Sequence, residues 1–448
     1  MKRKQCSTRI LAILLLAVMM VGFVPLQESA SFGGILGATA ASAEGGPTKI
    51  LLWNEIFEDW NYNFFSQKFE EFNQVQSDYV LEVEFMTADV LASRLAAAQA
   101  SGNAPDIYMT RYNFLPSLAN NELIMPLNDV FAPSVFEDYF DNVQDMISYN
   151  GQYYAIPQLL ETMQVLYYRK DLFEEAGIME APKTWDELYE AAKALTTPDR
   201  FGLMVPGFDI YHPFWSWSWI ATGHSLINDT WTEPTINNEG NRKLAAFFKK
   251  LYDERLVPEQ PSPFVHITAF GDEQFAMQFS GSWSWNNLKN NYPEIAAVTG
   301  VVPVPTLDGK PGTPTSTVGG YCYVLDAKNK NVEGSAALLN WLINDDPAIM
   351  ADFFKLTNFT KTSPRRAVEA LLNRDEAASV DPMLIAVSEI NRNAISEPIF
   401  PADISVTFMA ALADIVLYGV DADKAFADAD QTIRDLIIQN DLPAKAPR

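Results

Sequence analysis

The stretch Gly281-Ser282-Trp283-Ser284-Trp285-Asn286-Asn287 sets two tryptophans one serine apart. Read as an extended strand, it puts both indoles on one face. A second run, from Tyr211 to Trp219, alternates rings with serines after Pro213 and brings His212, Trp215, Trp217 and Trp219 beside Ser216 and Ser218. A pyranose has an apolar face that stacks on an aromatic ring, and edge hydroxyls that need fixed donors and acceptors. Concave ligand sites combine both kinds of group. The competing reading is an aromatic core with no ligand, in which each buried indole N–H still needs a partner.

Covalent chemistry finds little support. The serine at Ser282 lacks the final glycine of a G-x-S-x-G elbow. The three histidines, His212, His224 and His266, form no H-E-x-x-H. A secreted glycoside hydrolase would need two carboxylates flanking a cleft. Glu55, Glu58, Asp59 and Glu161 are available, but the chain has 57 acidic residues and availability selects none of them. There is no C-x-x-C or cysteine cluster, so neither a metal centre nor a cofactor is expected.

These residues sit in a chain that reads as exported. Lys2, Arg3, Lys4 and Arg9 precede an apolar run from Ile10 to Val24, and Ala41-Ser42-Ala43 offers a cleavage site before Glu44. Residues 1–43 are therefore expected to be a signal peptide. An earlier cut near Ser29–Ser31, or an uncleaved anchor, is the alternative. Removing a leader with four basic residues and one acidic residue takes the formal charge from -25 to -28. Such a surface repels phosphate backbones, which excludes a nucleic-acid binder. Only Cys322 remains after cleavage, so no internal disulfide is expected.

The 405 residues that follow exceed one ordinary hydrophobic core, and two domains are the default. The order is strand and helix in alternation. Strands are expected at 49–53, 79–85 and from Pro105, with helices over 61–72, 90–100 and 114–120. Thr184 caps a helix running to Leu195, with Asp186 and Glu187 in its first turn. The chain from 331 onward reads as nearly all helix. This pattern predicts an α/β protein with partly parallel sheets covered by helices.

Several segments, in order, resemble the bacterial extracellular solute-binding proteins of ABC importers, of the maltose-binding branch. They are Ala104-Pro105-Asp106-Ile107-Tyr108, the run Leu118 to Leu127, Gly151 to Pro157, Val165 to Phe173, Pro182 to Leu188, Gly281 to Asn287, and Gly319-Gly320-Tyr321 before Cys322 to Leu325. The resemblance covers essentially all of 49–440. It implies a two-lobed periplasmic-binding-protein-like clamp of type II, each lobe a mixed sheet flanked by helices, with three inter-lobe crossovers. The crossovers are expected near Glu161, near Tyr321–Leu325 and near Lys361–Ser363. Lobe 1 is then 44–160 with 326–362, and lobe 2 is 161–325 with 363–448.

The resemblance also implies a role and a site. The role is that of a monomer that captures a carbohydrate, an oligosaccharide, and passes it to a membrane permease. Polyamine, phosphate ester or peptide ligands on the same fold are alternatives. Trp283 falls on the branch's stacking tryptophan, and Trp285 shares the cleft or packs beneath it. Arg111, Tyr112 and Asn113 follow the third strand where the family places polar contacts; Arg111 forks onto hydroxyls or makes a surface ion pair. Glu161 binds a hydroxyl or braces the hinge. Trp53, His212, Trp215, Trp217 and Tyr321 complete the expected set. The chain departs from lipid-anchored relatives in having no lipobox cysteine, which leaves a periplasmic or a freely secreted protein.

Overall fold

A computed structural model describes residues 46–57, 59–208, 214–260 and 267–446. The expected leader and His212 lie outside the described residues. The strands are β1 (Thr48–Glu55), β2 (Tyr79–Met86), β3 (Ile107–Arg111), β4 (Ser148–Tyr149), β5 (Gln152–Tyr153), β6 (Ile156–Thr162), β7 (Val165–Arg169), β8 (Phe201–Met204), β9 (Phe275–Ser280), β10 (Thr299–Val302), β11 (Thr317–Leu325) and β12 (Ile395–Ser396). A first sheet runs β12-β11-β3-β1-β2, with β6 also on β11. A second runs β10-β7-β9-β8, and β4 pairs only with β5. Both larger sheets mix parallel and antiparallel pairs. The result is a two-lobed clamp of helix-flanked mixed sheets.

Parallel neighbours need crossover helices. Helix Asp59–Val75 joins β1 to β2 and buries Phe65, Phe69 and Phe72, spaced by four and three residues as one helical face requires. Helix Ala88–Ser101 leads to β3 and stops where Gly102 takes the left-handed conformation (φ 73°). Thr184 caps Trp185–Leu195 through a reciprocal capping box with Glu187. Because β2 and β3 lie on opposite sides of β1, the chain reverses its winding between β1 and β3. The crevice outside the carboxyl ends of strands at such a reversal is where open α/β sheets hold ligands.

The chain passes between the two sheets three times, but not where expected. The first passage is Met163–Gln164, close to Glu161 as anticipated. The second lies within 303–316, before β11 rather than at its end. All of β11 belongs to the first sheet, bonded to β3 and β6. The third lies at 397–401, not at Lys361–Ser363. Helices Arg366–Leu372 and Pro382–Asn393 pack into the core of the first sheet, and β12 joins its edge. Only helices Ala402–Tyr418 and Ala422–Gln439 return to the second core. The expected boundaries at 326 and 363 thus cut through first-sheet structure. The apolar periodicity that locates a helix does not say which core it faces.

Ser316 ties the three passages together. Its Oγ accepts the Gln164 amide (2.9 Å), its carbonyl accepts the Ile395 amide (3.3 Å), and Met163 N donates to the adjacent Thr317 carbonyl (3.0 Å).

Candidate functional site

At the carboxyl end of β1, Glu55 is buried and its carboxylate accepts from Tyr321 Oη (3.2 Å) and, at 3.4 Å, from Arg111 at the end of β3. Arg111 also donates to Tyr321 Oη (3.2 Å) and lies over its ring. Burial pushes the Tyr321 phenol up to about 12, with Arg111 opposing and Glu55 adding to the rise, so it stays a donor at neutral pH. Phe57 stacks on Tyr321, with centroids 5.1 Å apart and planes within 12°. Arg111 is therefore neither a free fork nor a plain surface ion pair, but one corner of a packed polar triangle.

Lys361 is 2 % exposed and ion-pairs with Glu161 of β6. Its ammonium lies 5.7 Å from the Phe57 ring centre and 5.9 Å from that of Trp283. Phe57 follows β1 of the first sheet, and Trp283 follows β9 of the second, so rings from both halves converge on one lysine. Glu161 sits at the end of β6, two residues before the first passage.

Trp283 and Trp285 do not share a strand face. Trp283 stands at the cap of helix Ser284–Asn291, and the helical turn that follows sends Trp285 elsewhere. Trp285 is buried in the first core with Lys289 over its ring. The Trp283 ring folds back over Gly281, where any Cβ would overlap it. The loop is held by Ser282 N donating to Thr162 O (3.0 Å), Ser282 Oγ to Thr360 O (2.6 Å) and Tyr167 Oη to Gly281 O (2.9 Å).

The ring-and-serine run is also helical, over Phe214–Thr222. At about 100° per residue its alternation is broken. Trp217 turns inward, fully buried against Trp185, Phe248 and Phe279, and is a core residue rather than a site residue. Trp215 and Trp219, four apart, share the other face and line a crevice of about 340 Å³ with Ser396 and Pro398. Trp215 Nε1 donates to Ser405 Oγ (2.8 Å). Trp53 does not face the cleft: its indole donates to Glu84 (3.0 Å) and Arg94 covers its ring at 4.5 Å. Tyr112 is buried with its hydroxyl on Leu159 O (3.0 Å). Tyr112 and Asn113 line a second crevice, of about 410 Å³, opposite Trp231 and Phe400.

The sequence reading did not single out Phe57 or the ion pair made by Lys361. Phe57 was findable, since it lies two residues past the end of the first parallel strand. Among the described residues no group of three or more His, Cys, Asp or Glu is placed to hold a metal, and no helix is long and apolar enough to cross a membrane.

The family model for bacterial extracellular solute-binding proteins matches residues 67–379. The chain belongs to that family. A solute-binding protein carries out no covalent step, and the secreted hydrolase is set aside. Solute-binding proteins of this family act outside the cytoplasm. Among curated relatives, the maltotriose-binding protein of Pyrococcus abyssi is 23% identical over 314 residues, 68% of this chain and 65% of its own length. The chain thus spans just under two thirds of that relative. The arabinooligosaccharide-binding protein of Halalkalibacterium halodurans is 25% identical over 284 residues, 58% of this chain and 59% of its own. Among solved structures, the sugar-binding protein MalE from Xanthomonas citri superposes with a TM-score of 0.75 at 21% identity, covering 88% of this chain and 98% of that one. This solute-binding protein therefore shares its fold with a sugar receptor at low sequence identity.

Proposed function

We propose that the protein is the extracellular binding subunit of an ABC importer and captures an oligosaccharide between its two lobes for delivery to a membrane permease. The observation that carries this reading is the convergence of Phe57 and Tyr321 from the first lobe with Trp283 from the second, around Lys361, Arg111 and their carboxylate partners. Flat apolar faces beside charged hydrogen-bonding groups suit pyranose rings. The ligands for which the relatives are named, maltotriose and arabinooligosaccharide, point the same way. Ligand contacts are assigned to Trp283, Arg111 and Tyr321, with Glu161, Asn113 and Trp215 at the margins. The lobes are taken as 46–162 with 317–396, and 165–302 with 402–446. The chain works as a monomer, periplasmic or freely secreted.

A phosphate ester is disfavoured by the pairing of charges, since Arg111 is shared with Glu55 and Lys361 with Glu161. Calorimetric titration with maltotriose, arabinotriose, cellotriose and raffinose, beside spermidine and glycerol 3-phosphate, tests the reading. Saturable binding of one of the four sugars is expected. Binding of spermidine or the phosphate ester with no response to any sugar would overturn it.

A further inference from the structure

Three carboxylates approach the cleft floor, and two of them are already occupied. Glu55 is held by Tyr321 and Arg111, and Glu161 by Lys361. The third is Glu397, on the third passage between the sheets. Its amide donates to Val318 O (3.2 Å), which extends the β11–β12 pairing by one residue. Its side chain then lies flat on Gly319, with the carboxyl carbon and both oxygens in the space where a Cβ would stand. Gly319 faces Glu161 across the strand pair and is two residues from Tyr321. The glycine is what makes room for the carboxylate.

No protein group among the described residues donates to this carboxylate, and the residue is partly exposed. A carboxylate with no protein donor keeps its acceptor positions for a bound hydroxyl. Burial pushes Glu397 up to about 7, and only the attraction of Arg111 opposes the rise. The other charged or titratable groups around it are Tyr321 on β11, Glu161 with its Lys361, and Tyr112, Asp145, Tyr149 and Asp229, which line the same crevice as Glu397; the Tyr112 hydroxyl is spent on Leu159 O. None of these donates to it.

Resting on the carbohydrate reading above, we infer that Glu397 is the carboxylate that accepts sugar hydroxyls in the cleft, the role expected of Glu161. An ionised carboxylate accepts from two hydroxyls at once, and such charge-assisted bonds are short and strong. Binding then requires the ionised form. The hydroxyls hold Glu397 ionised in the complex, so affinity is full above the free protein's value and falls as the pH drops below it.

The test is calorimetry at pH 8.0 and 5.5 with each of the same four sugars, on the parent, Glu397→Gln and Glu397→Ala, with folding checked by circular dichroism. The parent should bind about tenfold more weakly at pH 5.5, as the linkage requires. Glu397→Gln should bind about tenfold or more weakly than the parent at pH 8.0, the usual loss for a hydrogen bond to a charged group, and should show a flat pH profile. A merely structural glutamate would not move that profile, and the parent's own profile needs no variant. Parent binding that is equal at both pH values, or Glu397→Gln binding within twofold of the parent at pH 8.0, overturns the assignment while leaving the carbohydrate reading intact. A parent that binds none of the four sugars overturns both.

Discussion

Among the indoles of the second half, Trp283 is set apart by its neighbours. Trp217 and Trp185 lie in a ring of core aromatics, while Trp283 stands partly exposed over a glycine, with the Lys361 ammonium beyond it. Trp283→Ala should therefore weaken sugar binding by about 2 kcal/mol or more, roughly thirtyfold in Kd. Trp217→Ala should instead cost about 3–5 kcal/mol of stability, with near-normal affinity in the folded fraction. Titration and urea unfolding of the two variants separate the effects. Twofold or smaller loss in a folded Trp283→Ala would return that ring to the core. Glu397 makes a second residue-scale prediction, independent of any ligand. Its folded-state value of about 7 lies above the ordinary 4.5, so the native state binds the extra proton. The protonated form's stability is present below pH 4.5 and is lost as the pH rises toward 7. Glu397→Gln should melt higher than the parent at pH 8 and no higher at pH 4.5. A melting difference that does not change with pH would contradict this.

At the scale of elements, Gly281 links the second sheet to the site. The turn after β9 brings the Trp283 ring onto that glycine, and bonds to Thr162 and Thr360 anchor it to the first passage. Gly281→Ala should push the ring aside and weaken sugar binding at least tenfold, on the scale of an anchor residue's displacement. Stability should change by less than the loss of a core ring. Equal affinity in a calorimetric comparison would mean that the ring's placement does not depend on the glycine. The element also marks what could be read in advance. The alternation of Tyr79, Leu81 and Val83, the Thr184 cap and the helices from 331 onward were legible, because period and capping are local properties. The same local reading took Gly281–Asn287 and Tyr211–Trp219 for extended or face-sharing runs. Tryptophan and serine in alternation satisfy a strand's period, and only packing against Phe248 and Phe279 makes the second run a helix. The Trp283 assignment did not depend on that period, because it rested on family order. Glu397 was invisible, since its meaning depends on Gly319, 78 positions earlier, and on a passage point that no periodicity marks.

At the scale of the molecule, the site has groups from both halves and the halves meet through three strands of chain clasped at Ser316. A ligand shifts a two-state equilibrium only by its difference in affinity for the two states. A sugar that touches Phe57 and Tyr321 gains only the marginal Trp215 contact from the second lobe until Trp283 reaches its other face. Bound alone to the first lobe, it would leave the hinge where it was. Saturating sugar should therefore lower the radius of gyration of the parent in solution X-ray scattering. Trp283→Ala should keep its ligand-free radius even at sugar concentrations that titration proves saturating, because the one assigned contact left in the second lobe, Trp215, lies at the margin. Trp217→Ala, whose ring meets no ligand, should still contract wherever it is folded. A parent whose radius is unchanged at saturation would remove hinge closure from the account. A Trp283→Ala variant that contracts as fully as the parent would show that some other second-lobe group, and not this ring, pulls the lobes together.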